Sequence, residues 1–271
     1  MAPARPRGRA VLAACLVLGL GAGAAQTPTI LEINREDATL VITNRGSSTE
    51  GARTVLNRQG CEDGIVMSIF YGPPDRVEMV IDNETTLRSS LVIIREPDDA
   101  SSDDSDEDQQ TIEMLDGEAT FSDRPACLEA FTRADQPLVR LEQGRTEITA
   151  SRFFLDREAD VADIEGPVDL ERAPEGEASP LHATSESMSF NLQTERSTLT
   201  GGVRVESGDR VSEADTLELD EEAGLATLTG NPARSIQGED RIAGDTLLYY
   251  LDSNDVIVTG GVTGTLEVDL D

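Results

Sequence analysis

Ala214-Asp215-Thr216-Leu217-Glu218-Leu219-Asp220, then a short turn, then Ala226-Thr227-Leu228-Thr229-Gly230-Asn231, is the stretch that decides the fold. It returns as Gly244-Asp245-Thr246-Leu247-Leu248-Tyr249-Tyr250 and Val256-Ile257-Val258-Thr259-Gly260-Gly261. Asp215 and Asp245 are 30 residues apart, and Gly201, Gly230 and Gly260 follow one another at 29 and 30. A fixed period of this size marks a fold that stacks one supersecondary unit on the next. Such a stack builds a long apolar core or channel rather than a point-like active site. Within each unit, apolar and polar residues alternate: Leu217 and Leu219 against Thr216, Glu218 and Asp220, then Leu247, Tyr249 and Leu251 against Leu248 and Tyr250. Period-two alternation predicts half-buried strands. The recurring Asp215 and Asp245 read as turn caps at strand starts. Between Asp209 and Asp240 the spacing is 31, a slip that fits a bulge or a change of turn length.

The repeat extends upstream. Residues 150–156 align with 214–220, Ile164-Glu165-Gly166 lands on Leu228-Thr229-Gly230, and a degenerate copy lies at Leu115-Asp116-Gly117. Further towards the N-terminus the texture persists without the period, and residues 39–43, 65–70, 77–81 and 87–94 are strand candidates. A helical turn near 126–131 is the one exception to an all-β reading. The acidic run at 97–110 cannot bury apolar area and is expected to be a disordered loop; it lacks the glycine and ligand spacing of a calcium loop. Residues 173–180 read as a linker. The expected organisation is therefore a leader at 1–24, an N-terminal β portion at 25–145 and β repeats at 146–271.

Arg5, Arg7 and Arg9 precede an apolar run from Ala10 to Leu20, and Ala22-Gly23-Ala24 is a small-x-small cleavage site. This is the layout of a secretory signal peptide, too short to span a membrane. Leu12-Ala13-Ala14-Cys15 also spells a lipoprotein box, but the apolar run continues beyond the cysteine. Export of the mature chain follows, and about 245 residues remain for one large β domain or two small ones. The chain has 53 acidic residues and 22 basic ones, all Arg; losing the three leader arginines takes the net charge from −31 to −34. Such a surface repels nucleic acid and anionic headgroups. Cys61 and Cys127 survive processing, and an even pair in an exported chain suggests a disulfide on compartment grounds alone.

No catalytic motif is present. The single histidine, His182, has no nucleophile or orienting group beside it in sequence. Nucleophile elbow, Walker loop and His-Glu-x-x-His are missing, and there is no Lys for a Schiff base. No catalytic residue, metal ligand or cofactor is assigned, and the chain is not expected to be an enzyme.

The pattern Ala-Asp-x-Leu-x-Leu-Asp, turn, Ala-x-Leu-x-Gly-Asn/Gly at 214–231, with its return at 244–261, resembles the OstA-like periplasmic proteins of lipopolysaccharide transport, the LptA family. The clear likeness runs from about residue 149 to 266. The resemblance implies a folded-over β-jellyroll whose apolar interior holds acyl chains and whose members stack end to end in the periplasm. The chain has room for two jellyroll portions in tandem. Leu217, Leu219, Leu228, Leu247, Tyr249, Val256 and Val258 would then be the lipid-binding interior face. Each buried methylene contributes about 0.8 kcal/mol, enough for a groove along several strands to hold a chain without charged contacts. On this reading the partners are an envelope lipid, lipopolysaccharide or another acylated lipid, and another β-jellyroll joined by strand addition. Leu217→Asp or Leu247→Asp is expected to abolish lipid retention before it unfolds the protein. The alternative is a structural or scaffolding β-rod of the envelope with a sealed core. The alternating segment at 263–271 is a candidate edge strand whose acids oppose self-stacking.

Overall fold

The computed structural model describes residues 28–34, 39–98, 109–123, 126–136, 138–174, 179–191, 194, 196–220, 222–251 and 255–265. The leader at 1–24, most of the acidic run (99–108), residues 175–178 of the expected linker and the C-terminal 266–271 lie outside the described residues.

Short strands come first: β1 (Thr29–Asn34), β2 (Thr39–Asn44), β3 (Arg53–Glu62), β4 (Ile65–Tyr71), β5 (Val77–Ile81), β6 (Thr85–Ser89), β7 (Leu91–Pro97), β8 (Thr111–Leu115), β9 (Gly117–Phe121), β10 (Leu128–Arg133), β11 (Val139–Gln143), β12 (Thr146–Ala150) and β13 (Arg152–Asp156). Long strands follow: β14 (Val161–Arg172), β15 (Leu181–Asn191), β16 (Arg196–Ser207), β17 (Arg210–Asp220), β18 (Leu225–Gln237) and β19 (Asp240–Tyr250), closed by β20 (Val256–Thr259) and β21 (Thr263–Thr265). Among the described residues the one helical element is a 3-10 turn at Ser48–Glu50.

Every pairing is antiparallel, and the pairings resolve into two faces. Sheet I runs β1–β2–β5–β6–β11–β12 and continues through one half of each long strand to β21. Sheet II runs β3–β4–β7–β8–β13 and continues through the other halves to β20. The long strands cross from one sheet to the other at a bend, where the register of each successive pair shifts: between Glu165 and Val168, Thr184 and Ser187, Thr200 and Val203, Glu213 and Thr216, and Thr229 and Ala233. This is the folded-over, jellyroll-like all-β architecture that the resemblance implies.

The bends explain the repeat. At Asp215-Thr216 and Asp245-Thr246 two consecutive residues separate inward positions, so the alternation slips by one as it does at a bulge. Asp215 and Asp245 are thus exposed bulge residues in mid-strand, not caps at strand starts. The Thr-Gly pairs lie at the same fold line. Gly260 has φ +69°, and a Cβ there would meet the Asp245 Oδ2 at 2.3 Å. Gly201, at φ +82°, would meet the Glu186 carboxylate in the same way. A left-handed backbone and a side chain from the neighbouring strand leave room only for glycine.

Two other expectations change. The candidate strand at 87–94 is two strands broken at Ser90, whose hydroxyl donates to the Leu115 and Gly117 carbonyls and accepts from the Gly117 N–H. The helical turn near 126–131 is instead strand β10, paired with β9. The boundary drawn at 145/146 falls in the turn between β11 and β12, and one apolar cluster runs from Leu31 to Leu251 across it.

Sheet II is buried on both faces near its N-terminal end. Phe70, Val92, Ile94, Ile112 and Met114 point inward, while Met67, Ile69, Leu91, Ile93 and Leu115 form an outer cluster with Phe121, Leu128 and Phe131 of the β9–β10 hairpin. That double burial is why β7 opens on an unbroken apolar run. Cys61 in β3 is bonded to Cys127, just ahead of β10, with 5.5 Å between the Cα atoms, so the bridge pins the covering hairpin.

Candidate functional site

Register sets the interior. Two rows of inward residues run along sheet II, each link a directly opposed pair. The row near the bends is Phe153, Ile164, Met188, Leu199, Leu217, Leu228, Leu247 and Val258. The outer row is Leu155, Ala162, Phe190, Ser197, Leu219, Ala226, Tyr249 and Val256. Opposite them, sheet I presents Leu87, Leu141, Ile148, Leu170, Ala183, Val205, Ser212 and Ser235 in one row.

A cavity of about 270 Å³ lies between the sheets. Ile81, Thr85, Leu141 and Ile148 line it from sheet I; Phe153, Ala162, Ile164, Met188, Phe190, Ser197 and Leu219 line it from sheet II. Gln143, Gly144, Arg145 and Thr146, at the β11–β12 turn, form its rim, and Gly144 and Arg145 are exposed there, so the cavity meets solvent. The wall is apolar, and the space exists where the outer row carries small Ala162 and Ser197 between larger neighbours. An apolar cavity of about 150 Å³ can stay dry and take benzene; this one is large enough for a single acyl segment.

The seven residues expected as a lipid-binding face do not share one environment. Leu219 lines the cavity. Leu217, Leu228 and Leu247 are completely buried, with relative exposures of 0%. Val256 and Val258 pack partly buried at the C-terminal margin. Tyr249 is buried, and its hydroxyl crosses to sheet I, bonding the Ser212 hydroxyl and lying 3.3 Å from that of Ser235. Ile81, Leu141, Ile148, Phe153, Met188 and Phe190 were missed: the first three precede the clear repeat, where the alternation in 139–150 was the available signal, and the other three lie in its upstream, less regular copies.

Outside the cavity, sheet II carries an ion-pair ladder. The Arg152 guanidinium lies between Glu113 (Nε–Oε1 2.7 Å) and Glu165, which Arg133 also approaches at 3.3 Å. Burial alone would raise the Glu165 pKa, but hydrogen bonding and charge from Arg152, then from Arg133, outweigh it and hold the carboxyl below its ordinary value. His182 sits half-exposed on sheet I, with Nε2 3.0 Å from Asp169 Oδ2. Among the described residues no group of three His, Cys, Asp or Glu side chains converges as a metal site would require.

Residues 138–225 match the family model of the LptA and LptD N-terminal-domain lipopolysaccharide transport proteins. The segment is less than half the chain, begins one strand earlier than the likeness read from the sequence, and contains every cavity-lining residue except Ile81 and Thr85. The family is the one that the repeat resembles, and its described role is transport.

Among solved structures, the chain is similar to LptH, the LptA-homologous periplasmic component of the lipopolysaccharide transport device of Pseudomonas aeruginosa. The match covers 65% of this chain and 95% of that one at 12% identity, with a TM-score of 0.31, too loose for any residue correspondence. A search of curated proteins gives no match.

Proposed function

We propose that this chain is a periplasmic carrier of an acylated envelope lipid, and that it holds an acyl chain in the cavity between sheets I and II. The observation that carries this reading is an apolar cavity, walled by both sheets and open at the β11–β12 turn, in the segment that matches a lipopolysaccharide-transport family. Binding rests on apolar burial, about 0.8 kcal/mol per methylene. The rim has no anion-binding cluster beyond Arg145, which suits a protein that grips the chain rather than the headgroup. No chemical step is assigned to any residue, and the role is transport rather than catalysis.

Partners follow from the edges. Among the described residues β20 pairs on one side only, and its four residues, Val256–Thr259, carry no charge, with Ile257 exposed. An uncharged, unprotected edge of this kind suits strand addition by another β-jellyroll. The bulged β3 at the opposite end of sheet II is a poorer template, because two register shifts interrupt its pairing.

Native mass spectrometry of the protein purified gently from its own cell envelope tests the proposal. The expected result is a bound mass, removed by organic extraction, that matches an acylated lipid. A clean apo mass with intact β-rich circular dichroism would overturn the carrier reading in favour of a sealed envelope rod, the reading favoured by the closed interior around Leu217, Leu228 and Leu247.

A further inference from the structure

The cavity stops at Leu219, although the two rows that wall it continue. On sheet II the next residues along the outer row are Ala226, then Tyr249. Neighbouring strands are about 4.8 Å apart, so Tyr249 stands about 10 Å beyond the last cavity-lining residue. Ala226 is buried and lines no part of the cavity, so the interior is already closed beyond Leu219. Tyr249 ties that closed stretch together: its hydroxyl reaches sheet I and bonds Ser212, with Ser235 3.3 Å away.

The partners belong to the same construction. Along sheet I the row changes from Leu141, Ile148 and Leu170 to Ala183, Val205, Ser212 and Ser235. Both serines are 1% exposed. Buried hydroxyls in an otherwise apolar row are costly unless bonded. Here both meet a phenol delivered from the opposite sheet; Ser235 also accepts from Arg210, so Ser212 is the serine that depends on Tyr249 spanning the interior.

We propose that the Tyr249 tether, by holding the interior closed beyond Leu219, is the end wall of the acyl cavity and fixes the longest chain the protein accepts. The inference rests on the carrier reading above and adds the residue that sets its specificity. A chain entering at the β11–β12 turn runs along the outer row past Phe190 and stops at Leu219, where the stretch tied by the phenol begins. Going further would separate Tyr249 from both serines and leave the buried Tyr249 and Ser212 hydroxyls unpaired, a penalty that each added methylene does not offset. Tyr249 and Ser235 lie beyond the segment that matches the transport family, which ends at residue 225, while Ser212 lies within it.

The test is a chain-length series. Saturated fatty acids from dodecanoic to eicosanoic are titrated into the delipidated full-length mature protein, and affinity is read by native mass spectrometry and calorimetry. In the wild type affinity rises about fourfold per added methylene and then breaks to a plateau or a fall. Tyr249→Leu, which stays apolar but cannot reach sheet I, moves the break to longer chains. Tyr249→Phe keeps the ring and loses the tether, so the break moves the same way by less, and this variant decides the matter if Tyr249→Leu does not fold. A break at the wild-type length in a folded variant overturns the end wall while leaving the carrier reading intact. A wild-type protein that binds no fatty acid of any length overturns the carrier reading, and the end wall with it.

Discussion

Two stretches of the same interior use the same strand pairings and reach opposite results. Between β13 and β17, sheet II and the β5–β6–β11–β12 part of sheet I enclose a cavity of about 270 Å³. Between β17 and β19, Leu217, Leu228 and Leu247 are completely buried and Tyr249 binds the sheets together. Both stretches have bent strands, the same register shifts and the same two rows of inward residues. What differs is side-chain size in the outer row, Ala162 and Ser197 against Ala226 and Tyr249, together with two serines that receive a phenol. The folded-over architecture therefore supplies a channel in outline, and a handful of side chains decide where it is open.

The largest expected effect separates the two stretches outright. Leu247→Asp places a carboxylate where nothing is exposed, a cost of several kcal/mol, and thermal unfolding should find no cooperative folded state. This reverses the expectation from the sequence that lipid retention would be lost first, because Leu247 is in the dry stretch rather than on the cavity wall. Phe190→Asp, at the partly exposed cavity wall, should leave a folded protein that no longer retains lipid.

Next comes the outer hairpin. Replacing Cys61 and Cys127 together with serine should lower stability by about 2–5 kcal/mol, since the bridge closes a loop with a sequence separation of 66. Chemical denaturation measures the loss. Lipid retention should survive, because the bridge pins the far side of sheet II from the cavity.

A matched pair of smaller changes sharpens the contrast. Ala226→Leu overpacks the closed stretch beside Tyr249 and should destabilise by about 1–3 kcal/mol. Ala162→Leu enters space that already exists and should change the melting temperature little while displacing the bound chain.

The smallest effect is a pH dependence confined to the outer face behind the cavity. Glu165 has a folded-state pKa below its ordinary 4.5, so its contribution is present above that value and is lost as pH falls through the depressed one. Its carboxylate is half-exposed, so the contribution is small. Glu165→Gln should flatten part of the fall in melting temperature between about pH 6 and about pH 3.

Much of the fold could be read from the repeat alone. Leu217 and Leu247, one beat apart in the sequence, both pair directly with Leu228 across β17, β18 and β19. The Thr-Gly pairs were visible too, but their meaning was not: a glycine that ends a strand and one that bends it look alike until the next strand brings Asp245 against Gly260. The cavity was the least legible part, since Ile81, Leu141 and Ile148 come from strands without the period, and space is left by what neighbouring residues fail to fill. Alternation put Tyr249 on one face with Leu247 and Leu251, and Tyr249 is buried. Its role as a crosspiece depends on Ser212 and Ser235, which come beside it only through the fold-over.

The most direct test of the account sets native mass spectra of the wild type and Ala162→Leu side by side, both purified from the same envelope. The account predicts an acylated-lipid adduct on the wild type and none on the variant, with both equally folded by circular dichroism. Adducts of equal abundance on both proteins, or on neither, would contradict it.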